Sequence, residues 1–257
     1  MSETVRIAMW SGPRNLSTAM MRSFGARADC AVWDEPFYAA YLLATGLDHP
    51  MRPEILAAHE GDAAKVAAAC AGPVPGGATV FYQKHMTHHM LPGFDLDWLA
   101  DVRSAFLIRD PALVAASYEV KREMPTLADL GFEQQGMLFD RVADRLGEAP
   151  PVIDSATITA EPAAALAALC EALRIAYDPA MLAWSPGARP EDGVWGAHWY
   201  ASVNASTGFA APAREARPLM TDHAKRLADA GRPVYERLKA HALSPHALSS
   251  NAPGEAP

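Results

Sequence analysis

The chain has 257 residues, of which 50% are apolar and 20% charged, an ordinary globular composition that needs no stabilising disulfide or metal. Twenty-two basic and thirty acidic residues give a formal charge of −8. This charge argues against binding to nucleic acid or an anionic membrane, because such binders carry basic surfaces. Three cysteines without a CxxC spacing exclude a disulfide framework and the common zinc patterns, and favour a reducing compartment.

Hydropathy along the chain predicts a soluble, cytoplasmic protein. The first ten residues lack the apolar core of a secretory signal peptide. No stretch approaches the ~20 apolar residues of a membrane span. No linker or repeat divides the chain, so we expect one domain over residues 1–243, followed by a disordered tail over 244–257. The oligomeric state stays open.

Strand and helix patterns alternate from the N-terminus. Residues 5–10 predict a strand, followed by a tight loop and a helix that begins at Ser17, which Ser17 or Thr18 can cap. Further strands are predicted at 30–33, 78–83, 104–108 and 152–153, and helices at 37–47, 53–70, 112–121, 126–147, 161–174 and 220–241. Residues 184–218 have weak periodicity and predict a long loop, which is often functional or mobile.

This alternation predicts an α/β fold, with a mainly parallel central sheet covered by helices on both faces in three α/β/α layers. Ligands of such sheets bind at the carboxyl ends of the strands. Arg14, Lys84 and Arg109 each follow a predicted strand. We therefore expect three basic side chains on one rim, where they would bind an anion against the acidic charge of the whole protein.

The loop after the first strand is a candidate anion site, because backbone N–H groups and the helix dipole converge at the helix N-terminus. It lacks the second glycine and the lysine of a Walker A motif, so an ATP- or GTP-dependent phosphotransferase is disfavoured. An ordinary capped turn is the alternative reading. The predicted contacts with the anion are Gly12, Pro13, Arg14, Asn15, Leu16, Ser17 and Thr18.

Two motifs resemble those of the sulfotransferases that use 3′-phosphoadenosine-5′-phosphosulfate (PAPS). Residues 13–18, Pro-Arg-Asn-Leu-Ser-Thr, are similar to that family's 5′-phosphosulfate loop. Residues 106–111, with Ser117 eight positions after Arg109, are similar to its 3′-phosphate motif. The segment 193–199 is a weaker match to its late glycine-rich loop. The resemblance extends over about residues 5–200 and implies a P-loop-like nucleotide-binding architecture.

The resemblance implies PAPS as the cosubstrate, without a metal, and a small-molecule hydroxyl or amine as the acceptor. Arg109 and Ser117 would hold the 3′-phosphate, since a guanidinium can bind phosphate through two hydrogen bonds. Arg14 would act at the bridging oxygen, in the role of the family's loop lysine. Lys84 matches the lysine of the family's K-x-H pattern.

The sequence departs from that pattern at the general base. Met86 stands where the family has histidine, and three histidines surround it. Histidine is the commonest general base near neutral pH. We predict His88 as the base, with His85 as the second candidate. A solvated or structural histidine is the alternative for each, and a metal site is disfavoured because no acidic or cysteine partner is near.

The late loop departs as well, because Gly196 replaces the family's lysine. Arg189 is one candidate to replace that phosphate contact. Trp195, predicted to contact the cofactor, and Trp199 and Phe209 are candidates to stack on adenine or cover the acceptor, with plain core packing as the alternative. Asp34 and Glu35, with Tyr38, end the second strand at the same rim. A carboxylate there would repel the phosphosulfate, so Glu35 is expected to orient an arginine or a cationic acceptor.

Two other functions remain open from the sequence. A P-loop small-molecule kinase would need a magnesium carboxylate, for which Asp110 or Asp34 are the only candidates. A non-catalytic nucleotide-binding protein of the same fold is favoured by Gly196 and Met86. Nothing resembles the lysine site of a pyridoxal-phosphate enzyme.

Overall fold

Five parallel strands form the centre of the protein. The computed structural model describes residues 4–119, 125–210 and 220–245. The strands lie in the order β2-β3-β1-β4-β5, and every pairing is parallel, as the sequence predicts. The strands are β1 (Val5–Ser11), β2 (Cys30–Asp34), β3 (Val80–Met86), β4 (Arg103–Ile108) and β5 (Val152–Asp154).

Helices cover both faces of this sheet, which confirms the predicted α/β fold. The helices are α1 (Ser17–Gly25), α2 (Tyr38–Thr45), α3 (Arg52–Ala58), α4 (Ala63–Ala71), α5 (Pro111–Glu119), α6 (Leu127–Leu130), α7 (Phe132–Leu146), α8 (Ser155–Ala160), α9 (Pro162–Ala172), α10 (Gly196–Trp199), α11 (Ala201–Asn204) and α12 (Asp222–Lys239). Helix α1 packs on one face of the sheet and α12 packs on the other.

Two predicted helices are each divided in the structure. Residues 53–70 form α3 and α4, because the Asp62 side chain accepts hydrogen bonds from the N–H groups of Ala64 and Lys65 and starts a new helix. Residues 126–147 form α6 and α7, because Gly131 has φ +69°, which ends the first helix. The predicted helix start at Ser17 is right, but neither Ser17 nor Thr18 caps α1.

The apolar core has one part on each face of the sheet, because strand side chains alternate. Ile7 and Met9 of β1 and Tyr82 of β3 pack with α1 and α9 on one face. Trp10 and Phe106 pack with α7 and α12 on the other. This alternation decides which residues of each strand can reach a site on the first face.

The predicted long loop contains the short helices α10 and α11. A buried ion pair anchors it to α1: the Arg22 guanidinium donates to both Asp192 oxygens over 2.5 and 2.7 Å, and to Asn204 Oδ1 over 3.0 Å. Residues 211–218 of that loop, 120–121 of the helix predicted at 112–121 and 246–257 of the predicted tail lie outside the described residues. Within the described parts of the chain, no helix is long and apolar enough to cross a membrane.

Candidate active site

A cavity of about 410 Å³ opens at the carboxyl ends of the strands. The loop after β1 forms one wall, and the segment around α10 and α11 forms another. Arg14, Lys84 and Arg109, the three basic residues expected on this rim, all line it. The structure therefore brings them together in one cavity. The other lining residues used below are Pro13, Asn15, Leu16, Ser17, Thr18, Glu35, Tyr38, His49, His88, His89, Trp199, Tyr200 and Phe209.

The loop after β1 presents the N-terminus of α1 to this cavity. Arg14 and Leu16 adopt φ angles of 63° and 65°, in the left-handed region that non-glycine residues rarely occupy. No side chain caps α1. Backbone N–H groups of the first turn of a helix lack partners within the helix and attract anions. The loop is thus suited to hold a phosphate or sulfate group.

Close packing fixes the base of the same loop. A Cβ on Gly12 would lie 2.7 Å from the carbonyl oxygen of Leu130, so only glycine fits without a shift of the backbone. Asn15 Nδ2 donates to the carbonyl of Leu107 in β4 over 3.3 Å. Gly12 therefore supports the loop from behind and does not line the cavity.

Two arginines and a serine meet beside this loop. Arg14 Nε donates to Ser117 Oγ of α5 over 3.0 Å, and Arg109 Nη1 donates to the Arg14 carbonyl over 2.7 Å. Burial, together with the charge of Arg109, lowers the pKa of Arg14. The two guanidinium groups therefore repel each other, and an anion between them would relieve that repulsion.

A buried cluster of charges lies at the other end of the cavity. Lys84 Nζ donates to Asp34 Oδ1 over 2.8 Å, to Glu35 Oε1 over 2.6 Å and to the Tyr200 hydroxyl over 2.6 Å. The Tyr200 hydroxyl in turn donates to Asp34 Oδ2 over 2.7 Å. Burial alone would lower the pKa of Lys84, but the two carboxylates raise it, so the ammonium keeps its charge.

This cluster changes the interpretation of Lys84. All three N–H donors of its ammonium group are used by the cluster. The resemblance matches Lys84 to the lysine of the family's K-x-H pattern and makes it a catalytic candidate, but this geometry does not support a contact between its ammonium and a bound donor. Tyr200, which completes the cluster, had no recognisable signal in the sequence.

The turn after β3 carries His88 and His89. His88, the predicted base, lines the cavity and meets the Tyr41 ring edge-on, with centroids 5.6 Å apart. Thr87 Oγ1 donates to the Gly131 carbonyl over 2.9 Å, which fixes the turn. Gly131 is required there, because a Cβ would lie 2.6 Å from Thr87 Oγ1.

His85 lies on the opposite face of the sheet and does not line the cavity. It stacks on Trp10 with centroids 4.5 Å apart, and it contacts Phe37 and Trp98. Burial lowers its pKa to about 3. The structure therefore does not bring this second predicted base to the site, whereas it adds His89 and His49 to the lining.

Two of the three aromatic candidates line the cavity, and the third does not. Trp199 and Phe209 line the cavity, as expected of side chains that cover a ligand. Trp195 is buried behind Tyr200, and its Nε1 donates to the Tyr200 hydroxyl over 3.0 Å. The structure places it in the core rather than in the cavity. Arg189 donates to the Ser185 carbonyl and lies outside the cavity, so it does not replace the missing lysine.

The acidic residues considered as magnesium ligands are already paired with cations. Asp34 binds Lys84, and Asp110 receives two hydrogen bonds from Arg232 over 2.8 and 3.0 Å. Among the described residues, no group of three or more histidine, cysteine or acidic side chains is arranged to hold a metal ion.

Three comparisons with known proteins bear on this site. Two curated proteins of Arabidopsis thaliana, named branched-chain-amino-acid aminotransferase-like proteins 1 and 2, are 35% identical over 98% of this chain and 33% identical over 95% of it. The chain spans only 44% and 43% of their lengths. Their names give no information about this site.

The fold is similar to that of a sulfotransferase domain from the curacin biosynthetic pathway, with a TM-score of 0.50 at 12% identity over 90% of this chain and 98% of the other. At that identity, the likeness concerns the fold alone. The family model described as "Sulfotransferase domain" matches residues 5–242, which is nearly the whole chain. The chain therefore belongs to the sulfotransferase-domain family.

Proposed function

We propose that this protein transfers a sulfuryl group from PAPS to a hydroxyl or amine group of a small molecule. The observation that carries the proposal is the cluster of Arg14, Arg109 and Ser117 beside the uncapped N-terminus of α1. It places two positive charges and backbone donors at one end of a cavity, and the Ser117 hydroxyl, which accepts from Arg14, lies beside them. A nucleotide with phosphate groups at both its 3′ and 5′ positions matches this set of donors.

Each residue has a distinct part in this proposal. PAPS, when bound, supplies an activated sulfuryl group. The loop 13–18 and α1 hold the 5′ phosphosulfate, and Arg109 and Ser117 hold the 3′-phosphate. Arg14 stabilises the negative charge that develops on the leaving 5′-phosphate. Such electrostatic stabilisation by pre-placed donors is the largest contribution to catalysis in many enzymes.

His88 takes the proton from the acceptor group as that group forms its bond to sulfur. It lies at the same rim as the phosphate loop, on a turn held by Thr87 and Gly131. Lys84 acts as a positioning residue that holds Asp34 and Glu35 in place. Trp199 and Phe209 exclude water from the reacting groups.

A kinase is the second candidate and fits less well. Its magnesium ligand would have to be Asp34 or Asp110, and both are paired with cations. The loop also lacks the lysine of a Walker A motif.

Thermal unfolding with two nucleotides separates these functions. We expect 3′-phosphoadenosine 5′-phosphate to raise the unfolding temperature by several degrees at saturation, roughly 2–4 °C per kcal/mol for a protein of this size. ATP with magnesium should not do so. Radiolabelled PAPS then tests transfer to mixtures of small hydroxyl and amine compounds. Stabilisation by ATP-magnesium alone would reject the proposal in favour of the kinase.

A further inference from the structure

At the end of the cavity near β2 and β3, which we call the acceptor end, two carboxylates surround one ammonium group. Asp34 and Glu35 are two acids around the single ammonium of Lys84. Asp34 is fully engaged, because it also accepts hydrogen bonds from Tyr200 and from the Gly193 N–H. Glu35 binds Lys84 through Oε1 only, and its Oε2 faces His89 Nε2 at 3.9 Å. This distance is too long for a hydrogen bond.

His89 does not add a positive charge beside Glu35. Its side chain is 2% exposed, and burial lowers its pKa well below the usual value, with the neighbouring cations and histidines adding to the effect. Its Nδ1 has no hydrogen-bond partner among the described residues. The His89 ring lines the cavity with its Nε2 toward Glu35 Oε2, and Tyr38 stacks on the ring at 4.6 Å and holds it in place.

The backbone holds Glu35 in this position in a strained conformation. Its φ is +40°, which is unusual for a residue other than glycine. Its N–H donates to the Lys84 carbonyl over 2.9 Å, and its carbonyl accepts from the Tyr38 N–H over 3.0 Å. Backbone strain of this kind concentrates at functional sites. Here it turns a carboxylate toward the cavity at the end of β2.

The two ends of the cavity therefore differ in charge. β2 and β4 are three strand intervals apart in the sheet, which is about 14 Å at the usual spacing. Arg109 follows β4, near the phosphate loop, and Glu35 follows β2. A carboxylate next to the phosphosulfate would weaken its binding, whereas one at the far end can bind part of the acceptor without that penalty.

We propose, on the basis of the proposed function, that the acceptor is a small molecule with an ammonium group in addition to the group that receives the sulfuryl group, and that Glu35 binds this ammonium. The ammonium nitrogen sits between Glu35 Oε2 and the ring of His89. The nitrogen can approach both groups at once, because Glu35 Oε2 and His89 Nε2 are 3.9 Å apart, which is less than twice the ordinary hydrogen-bond distance of about 2.9 Å. Burial raises the pKa of Glu35, against the opposing effect of Lys84, and the charge of a bound ammonium would favour the ionised carboxylate.

Matched pairs of alcohols test this assignment, because an ammonium and a methyl group have similar size. The probes are amino alcohols H₃N⁺–(CH₂)n–OH and the neutral alcohols CH₃–(CH₂)n–OH, over a range of chain lengths. Each is assayed for transfer of radiolabelled sulfuryl groups and for stabilisation of the protein with 3′-phosphoadenosine 5′-phosphate present. We expect at least one amino alcohol to have a KM about tenfold lower than its neutral partner, as for a charge-assisted hydrogen bond.

Glu35→Gln should remove this preference and leave stabilisation by 3′-phosphoadenosine 5′-phosphate in place, which also shows that the variant is folded. Glu35→Asp should keep part of the preference. Equal or better use of the neutral alcohols, or no response to any amino alcohol, would overturn the assignment while the nucleotide shift persists. If 3′-phosphoadenosine 5′-phosphate does not raise the unfolding temperature of the unmodified protein, the proposed function is rejected instead. The ammonium site would then still be decided by whether amino alcohols stabilise the protein more than neutral alcohols do.

Discussion

Arg14 Nε donates a hydrogen bond to Ser117 Oγ over 3.0 Å, and this contact joins two motifs that are 103 positions apart in the chain. It connects the loop after β1 to α5, the helix after β4. Strands β1 and β4 are neighbours in the sheet, so the elements that follow them meet at the same edge. The two halves of the proposed nucleotide site are thus a single structural unit.

Replacement of this serine should weaken nucleotide binding without unfolding the protein. In Ser117→Ala, the Arg14 side chain loses the hydrogen bond that fixes it. We expect affinity for 3′-phosphoadenosine 5′-phosphate to fall about tenfold, as for loss of a hydrogen bond to a charged group. Isothermal titration calorimetry measures this change. Ser185→Ala, at an exposed position outside the cavity, is the control, and an equal loss in both variants would contradict the assignment.

Arg109→Ala should abolish the thermal shift with the same nucleotide. It removes a guanidinium from the cavity and the hydrogen bond to the Arg14 carbonyl. Arg109→Lys should retain part of the binding, since lysine keeps the charge but cannot form two parallel hydrogen bonds. Arg141→Ala, which removes an exposed arginine from α7, serves as the matched control. A normal shift in Arg109→Ala would remove this residue from the site.

His88→Ala should slow transfer about 10²- to 10⁴-fold, the usual contribution of a general base, and leave nucleotide affinity unchanged. Single-turnover measurements with radiolabelled PAPS separate the chemical step from binding. His89 is the alternative if His88→Ala has full activity, because it lines the same cavity. His85 is not an alternative base, because it lies on the other face of the sheet.

Lys84→Met should destabilise the protein by about 3–5 kcal/mol, since it leaves two buried carboxylates without their counter-charge. The free energy of unfolding in urea measures this effect. Lys65→Met is the control, because Lys65 is 68% exposed and lies 3.6 Å from Glu60, a pair worth about 0–1 kcal/mol. Equal effects of the two substitutions would mean that the buried cluster contributes little.

The free energy of unfolding should decrease as the pH drops below about 6.5, in part because of His85. Its pKa is about 3 in the folded protein and near 6.5 in the unfolded chain, so the unfolded chain binds more protons between these values. The free energy of unfolding therefore decreases as pH falls through this window, by up to about 1.4 kcal/mol per pH unit from this residue. His89 acts in the same direction.

Urea unfolding at several pH values tests this dependence. His85→Asn, which cannot take up a proton there, should have a smaller slope than the unmodified protein. His198→Asn, the same substitution at an exposed histidine, is the control for the change of side chain itself. An unchanged slope in His85→Asn would contradict the prediction.

The parallel sheet could be predicted from sequence because short apolar runs alternate with helical patterns. The rim residues followed from the rule that ligands bind at strand ends. The face on which each histidine lies could not be predicted, because β3 extends to Met86, three residues beyond the expected strand. Within a strand, neighbours point to opposite faces, so Lys84 reaches the cavity and His85 does not.

The buried charge cluster around Lys84 could not be predicted from the sequence either, for a physical reason. Tyr200 lies 116 positions after Lys84, and only the path of the late segment across the strand ends brings them together. Nothing in the local pattern around residue 200 distinguishes a core tyrosine from one that binds a lysine. The division of two long helices was likewise set by single residues, Asp62 and Gly131, within otherwise helical sequence.

The ion pair between Arg22 and Asp192 gives α1 a second structural role. One end of this nine-residue helix presents the phosphate loop, and Arg22, five residues after its start, fastens the wall that carries Trp199. In the proposed function, the helix sets a distance of about 7–8 Å between the phosphate loop and that wall, at 1.5 Å per residue. Its tilting would carry both together and preserve the alignment of the reacting groups. Substitutions at Arg22 or Asp192 would then alter turnover from outside the cavity.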